Sequence, residues 1–150
     1  MNPFKHEPRE RFPYGQFIPT RWGDVDLYGH VNNVVYYSWF DTLIGRLLVE
    51  RRVIWPHGGP SVAYCVSSGC DFFEPVLFPQ AVEARLRIGR VGQSSLRYEI
   101  GLFLEGRRDP VAAGHFAHVF VDQATRRPAP LTAVQRQALA DLGAPEPQNK

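Results

Sequence analysis

The chain has 150 residues, 44% hydrophobic and 21% charged, with a formal net charge of +2. That length is read as one domain over residues 1–150 with its folded core at about 14–142, and the composition is that of an ordinary globular protein. The small net charge makes no electrostatic case for nucleic acid. No membrane insertion is expected, because Ser38, Asp41 and Arg46 break the longest apolar run, and the N-terminal stretch lacks a signal peptide's apolar centre, which points to the cytoplasm.

Residues 1–13 carry three prolines and many charges and read as a loose lead-in. Tyr14 to Arg21 reads as a first strand, with Pro19 marking an edge or kink. A polar loop follows at 22–31. Asn32 or Asn33 then caps a helix running to about Arg51, whose Tyr36, Tyr37, Phe40, Leu43, Ile44, Leu47 and Leu48 make a wide apolar face. Val53 to Pro60 is a loop by composition, serving as a lid or as a cover for the helix end. After Pro60 the pattern switches to period two. Ser61 to Glu74, Gln80 to Gly89, Ser95 to Glu105 and Val111 to Asp122 read as four long strands, with a turn or bulge at Gly89–Gly92. Leu131 to Leu142 has helical spacing, and Gly143, Pro145 and Pro147 end it. One helix among so many strands is buried only if the sheet wraps around it, so the fold class is α+β with a five-stranded antiparallel sheet, one long central helix and a short C-terminal helix.

Cys65 and Cys70, five apart on one strand, are expected to point to opposite faces as two buried free thiols. His115 and His118, three apart on the last strand, also face opposite sides, which argues against a shared metal.

The stretch from Arg21 to Tyr36 organises the rest. It places Asp24, Asp26 and His30 in a short loop that feeds the start of the long helix. A helix N-terminus offers unpaired N–H groups and a partial positive charge, able to hold an oxyanion or polarise a carbonyl. A carboxylate a few residues upstream supplies a base or nucleophile to the same point. Taken without any relative, Asp26 reads more readily as a loop residue making an Asx turn than as a catalyst, and Asp24 as the one that holds the loop by backbone hydrogen bonds.

The string Gly23-Asp24-Val25-Asp26-Leu27-Tyr28-Gly29-His30-Val31-Asn32-Asn33, opening a long helix, resembles the acyl-CoA thioesterases of the hotdog fold, in particular the 4-hydroxybenzoyl-CoA thioesterase group. Asp71-Phe72-Phe73-Glu74-Pro75-Val76 and Val119-Phe120-Val121-Asp122 followed by Arg127-Pro128-Ala129-Pro130 agree with it, so the likeness spans about residues 14–142. The resemblance implies hydrolysis of acyl-CoA to a carboxylic acid and coenzyme A. Asp26 is then the catalytic carboxylate and the backbone N–H of Asn33 polarises the thioester carbonyl. No cofactor and no metal are required. The acyl group lies beside the helix, and coenzyme A lies between paired subunits of a homodimer or homotetramer whose sheets join edge to edge.

Tyr28, His30 and Val31 are candidate substrate contacts. A similar His-Val-Asn-Asn string occurs in plant acyl carrier protein thioesterases with a functional histidine; here Tyr28 replaces their asparagine, and it also replaces the small residue of the 4-hydroxybenzoyl enzymes. For coenzyme A phosphates the candidates are Arg85, Arg87, Arg90 and Arg97, because guanidinium binds phosphate bidentately. Arg90 stands first, since Gly89 and Gly92 allow close backbone approach and Ser94 and Ser95 add hydroxyls; Arg126 and Arg127 are the fallback. The competing readings are an acyl carrier protein thioesterase and a hotdog protein that binds acyl groups without catalysis.

Overall fold

The structure, a computed structural model, describes residues 2–57 and 59–143. Its elements run β1 (Tyr14–Pro19), α1 (Asn33–Glu50), β2 (Ser61–Phe72), β3 (Ala81–Val91), β4 (Ser95–Leu104), β5 (Ala112–Asp122) and α2 (Ala133–Ala138). The strands form one sheet in the order β1-β3-β4-β5-β2, every neighbouring pair antiparallel. The sheet curls around α1. Alternate residues Val82, Ala84 and Leu86 of β3, with Leu96, Tyr98, Ile100 and Leu102 of β4, meet Tyr36, Trp39, Phe40, Leu43, Ile44, Leu47 and Leu48 of the helix in one buried cluster. Close burial of that many large side chains is the main favourable term in the fold.

The strand readings hold to within a few residues, and the bulge expected near Gly89 is present as a register shift between Ile88 and Arg90. Gly89 is small for a local reason: a Cβ there would come 2.7 Å from the Glu99 carboxyl carbon. Four expectations are corrected. The first strand stops at Pro19, and Trp22–Asp24 is a 3-10 turn closed by Asp24. The segment 131–142 is broken into α2 and a 3-10 turn at Ala140–Leu142, because Leu139 leaves helical geometry between them.

The cysteines differ as well. A bulge between Cys65 and Ser67 adds one residue to β2, so Cys65 pairs with His118 and Cys70 with Gly114, which share a face of β5. Both thiols are free, but Cys65 is exposed and Cys70 only half-buried, with burial pushing its pKa up to about 12.

The last correction concerns residues 2–13. They are not a loose lead-in. They cross the outer face of the sheet, where Phe12 is fully buried against Phe103 and Phe4 stands edge-on to Phe12. Arg87 donates to Glu7 at 2.5 Å and to Glu99 at 2.7 Å, and its guanidinium lies over the Phe4 and Phe12 rings. Arg85 donates to the Phe12 carbonyl and to Glu83, which also holds Arg9. The polar face of β3 is therefore covered, and Arg85 and Arg87 are structural rather than phosphate ligands. No helix among the described residues is long and apolar enough to cross a membrane.

Candidate active site

The loop before α1 is built by its own side chains. Asp24 is almost completely buried, and its carboxylate accepts from the Arg21 N–H at 2.8 Å and from the Arg21 guanidinium at 2.8 Å. Burial alone would raise its pKa, but these bonds outweigh burial and hold it below the usual carboxylate range. The Asp24 carbonyl accepts from the Asn32 N–H. A bridge between Val25 and Val31 closes the loop, and His30 and Val31 tie it to Val76 and Leu77.

Inside that frame Asp26 sits half-buried at the mouth of a tight turn. Its Oδ1 accepts from the Tyr28 N–H at 2.8 Å and the His30 N–H at 3.3 Å. Gly29 takes a φ of 77°, which a residue with a Cβ adopts only with strain. The Asx turn is thus real, yet it engages one oxygen only; Oδ2 has no partner among the described residues. The Asn32 side chain accepts from the Val34 N–H and caps α1. The N–H of Asn33, the first helical residue, has no acceptor among the described residues. An oriented carboxylate oxygen and an orphan helix N–H can act on one carbonyl between them.

Asp26, His30, Val31 and Asn33 line one depression with Tyr36, Phe72, Phe73, Glu74 and Pro75. The last four residues come from the exit of β2. The Asp71–Val76 string marked that segment as characteristic, but nothing in its spacing placed it opposite Asp26. Val31 is buried and forms the floor, whereas Tyr28 is exposed on the outer side of the loop. A second shallow depression, lined by Val25, Asp26, Leu27, Tyr28, Asn32 and Asn33, lies on that outer side. Leu27 is 98% and Tyr28 82% exposed, an apolar tip with nothing against it in one chain.

Arg90, Gly92 and Ser94 are not brought to this site. They lie near the end of β3 and the start of β4, while the loop is tied near the start of β3; along the strand that separation is about 30 Å. Arg90 borders a depression with Val91, Leu131, Arg136 and Leu139 instead. A Cβ on Gly92 would run into Ser95 Oγ, so that glycine makes room for its own turn. His115 and His118 face opposite sides, as their spacing predicts. His115 meets Ser67 at 3.2 Å, and His118 meets Tyr98 Oη at 3.0 Å in the interior, where burial pushes its pKa down to about 4.

A five-stranded antiparallel sheet curled around a single long helix is the hotdog architecture. The structure superposes with a TM-score of 0.87 on the PA5185 protein of Pseudomonas aeruginosa, 48% identical over 92% of this chain and 96% of that one. It also matches the PA2801 protein of the same organism, 31% identical with a TM-score of 0.78 over 85% and 98% of the two chains. A gentisyl-coenzyme A thioesterase, BH1999, is 25% identical with a TM-score of 0.73 over 83% and 98%. The YsmA protein of Bacillus subtilis is 23% identical over 139 residues, 91% of each chain. Residues 20–139 match the thioesterase-like superfamily, and the chain belongs to it.

Proposed function

We propose that this protein hydrolyses acyl-CoA thioesters, with Asp26 as base or nucleophile and the Asn33 N–H polarising the thioester carbonyl. The observation that carries the reading is that Asp26 and Asn33 line one depression, with the Asp26 Oδ2 and the Asn33 N–H both without a partner among the described residues. In the base route Oδ2 takes a proton from water as the water oxygen attacks the carbonyl carbon. In the nucleophile route Oδ2 itself attacks, giving a mixed anhydride that water then opens. In both, the carbonyl electrons move to an oxyanion facing the Asn33 N–H and return to expel the coenzyme A thiolate. The half-exposed Phe72 and the buried Tyr36 offer the acyl group an aromatic wall, their rings 4.8 Å apart. The name of the BH1999 relative supports coenzyme A as the carrier.

The reading includes a dimer. β2 is a 12-residue edge strand with exposed Tyr64, Cys65 and Val66 and an open hydrogen-bonding side. Long unprotected edges pair. Antiparallel pairing of two β2 strands sets the partner's far end, with its arginine-bearing turns, beside this chain's Phe72. Arg90, Gly92 and Ser94 then meet coenzyme A only across subunits. The test is hydrolysis by the purified protein of a panel of aliphatic and aromatic acyl-CoAs, with matched acyl carrier protein thioesters alongside. Turnover of one or more acyl-CoAs that fails in Asp26→Asn is expected. Hydrolysis confined to acyl carrier protein substrates, or unaffected by Asp26→Asn, overturns the assignment.

A further inference from the structure

The outer face of the sheet holds a cavity of about 620 Å³ that the proposed chemistry does not use. Its floor is Gly69, Cys70 and Asp71 of β2 with Ala113, Gly114 and His115 of β5; one wall is the N-terminal segment Asn2–Lys5, and Arg97 of β4 and Phe73 close it. That volume is in the range of small-molecule sites. The floor is kept low by small residues: a Cβ on Gly69 would stand 2.8 Å from the His115 ring.

The charges in it are unbalanced. Elsewhere on this face cations are answered by carboxylates, as Arg87 is by Glu7 and Glu99, and Arg9 and Arg85 by Glu83. Arg97 has no hydrogen bond and no acid partner among the described residues. Lys5 has no acid partner either; its ammonium stands 5.6 Å from the Phe73 ring centre. Asp71, the one acid of the lining, has Oδ2 already engaged by the Asn2 amide, at 2.9 Å. His115 is bonded to Ser67 through Nε2 only. Two cationic side chains, Lys5 and Arg97, thus face one hollow with Asp71 as its one acid and with the His115 ring, whose charged form burial and Arg97 disfavour, as a neutral hydrogen-bonding group beside them, a setting that favours a compact, multiply charged anion.

We propose that Lys5, Arg97 and His115 form a binding site for a phosphate monoester. Phe73 lines both this cavity and the Asp26 depression, so the two are neighbours at one residue. The phosphate has two possible sources: the nucleotide end of an acyl-CoA running from Asp26 past Phe73, or a separate phosphorylated metabolite. Only the first source rests on the proposed hydrolysis.

The test is calorimetric titration of the full chain with adenosine 3′,5′-bisphosphate and with inorganic phosphate, using wild type, Arg97→Ala, Lys5→Ala and, as an exposed control away from the cavity, Arg52→Ala. Saturable binding that Arg97→Ala and Lys5→Ala each weaken about five- to tenfold, and Arg52→Ala leaves alone, is expected for charge-assisted contacts partly open to solvent. No saturable binding of either probe at millimolar concentration overturns the site, and so does equal weakening by all three variants, which would mean a diffuse field. The source is read from kinetics: if Arg97→Ala raises KM for acyl-CoA but not for acyl-pantetheine, the phosphate is the substrate's own; if binding weakens with KM unchanged, it is a separate ligand. A wild-type protein that binds the probes but hydrolyses no acyl-CoA leaves the site standing and sinks the proposed hydrolysis.

Discussion

The outer face of the sheet and the loop before α1 use charge in opposite ways. Under the N-terminal segment, Arg87 is 4% exposed and its charge is matched by two carboxylates, a backbone carbonyl and aromatic faces together. In the loop, Asp24 is matched by Arg21, but among the described residues Asp26 two positions on keeps one oxygen without a partner, and the helix behind it keeps one such N–H. Groups that are fully paired hold a fold together, because breaking a buried pair leaves an uncompensated charge. Groups left unpaired at the mouth of a depression have interactions still to give, and those can be realised with a substrate. Charge alone does not separate the two aspartates; the count of satisfied atoms does.

The comparison breaks first at Asp26. Asp26→Asn should lower turnover about 100-fold or more with a thermal melt close to wild type, since its amide oxygen can still accept from Tyr28 and His30. Full retention of activity in Asp26→Asn together with loss in Asp24→Asn would reverse the roles of the two aspartates. Arg87→Ala should do the converse, costing about 3 kcal/mol in denaturant unfolding and leaving the turnover of the folded protein unchanged. A loss of turnover at equal folded fraction would show that the outer cover and the site are coupled.

The interior supplies a third case, the Tyr98–His118 pair, where a titratable group is buried neutral. Its folded pKa of about 4 lies below the ordinary histidine value of 6.5, so the unfolded chain binds the extra proton more readily. Stability is then fully present above pH 6.5 and falls as pH drops towards 4, by up to about 3 kcal/mol. His118→Gln should flatten unfolding free energy measured across that window. Asp24→Asn should lower Tm by a few degrees and loosen the loop. The depressed pKa of Asp24 adds its stability above the ordinary carboxylate value of 3.8, and that contribution is lost as pH falls through the depressed value. The smallest effect belongs to Arg90→Ala: a several-fold rise in KM for acyl-CoA, absent with acyl-pantetheine and shrinking as salt rises. Sedimentation of the same protein checks the dimer on which that effect depends; a lone species of about 17 kDa would remove it.

The sequence by itself determined the order of strands and helix, because period two and period 3.6 are local properties of the chain. It located α1, narrowed its cap to Asn32 or Asn33, and located the loop with Asp26. It also carried the family, since the motif before α1 is contiguous. Only the tertiary structure decided which charges are spent. Glu7 meets Arg87 across 80 positions and Arg9 meets Glu83 across 74, pairings that no local pattern encodes, so residues 2–13 read as a loose end and Arg85 and Arg87 as free cations. The β2 bulge turned Cys65 onto the face of Cys70 for a similar reason: one inserted residue inverts every later inference from alternation. Arg90 and Asp26 looked like parts of one site because their chemistries suit one substrate. The length of β3 puts them at opposite ends of the chain's own sheet, and a second subunit is what would bring such ends together.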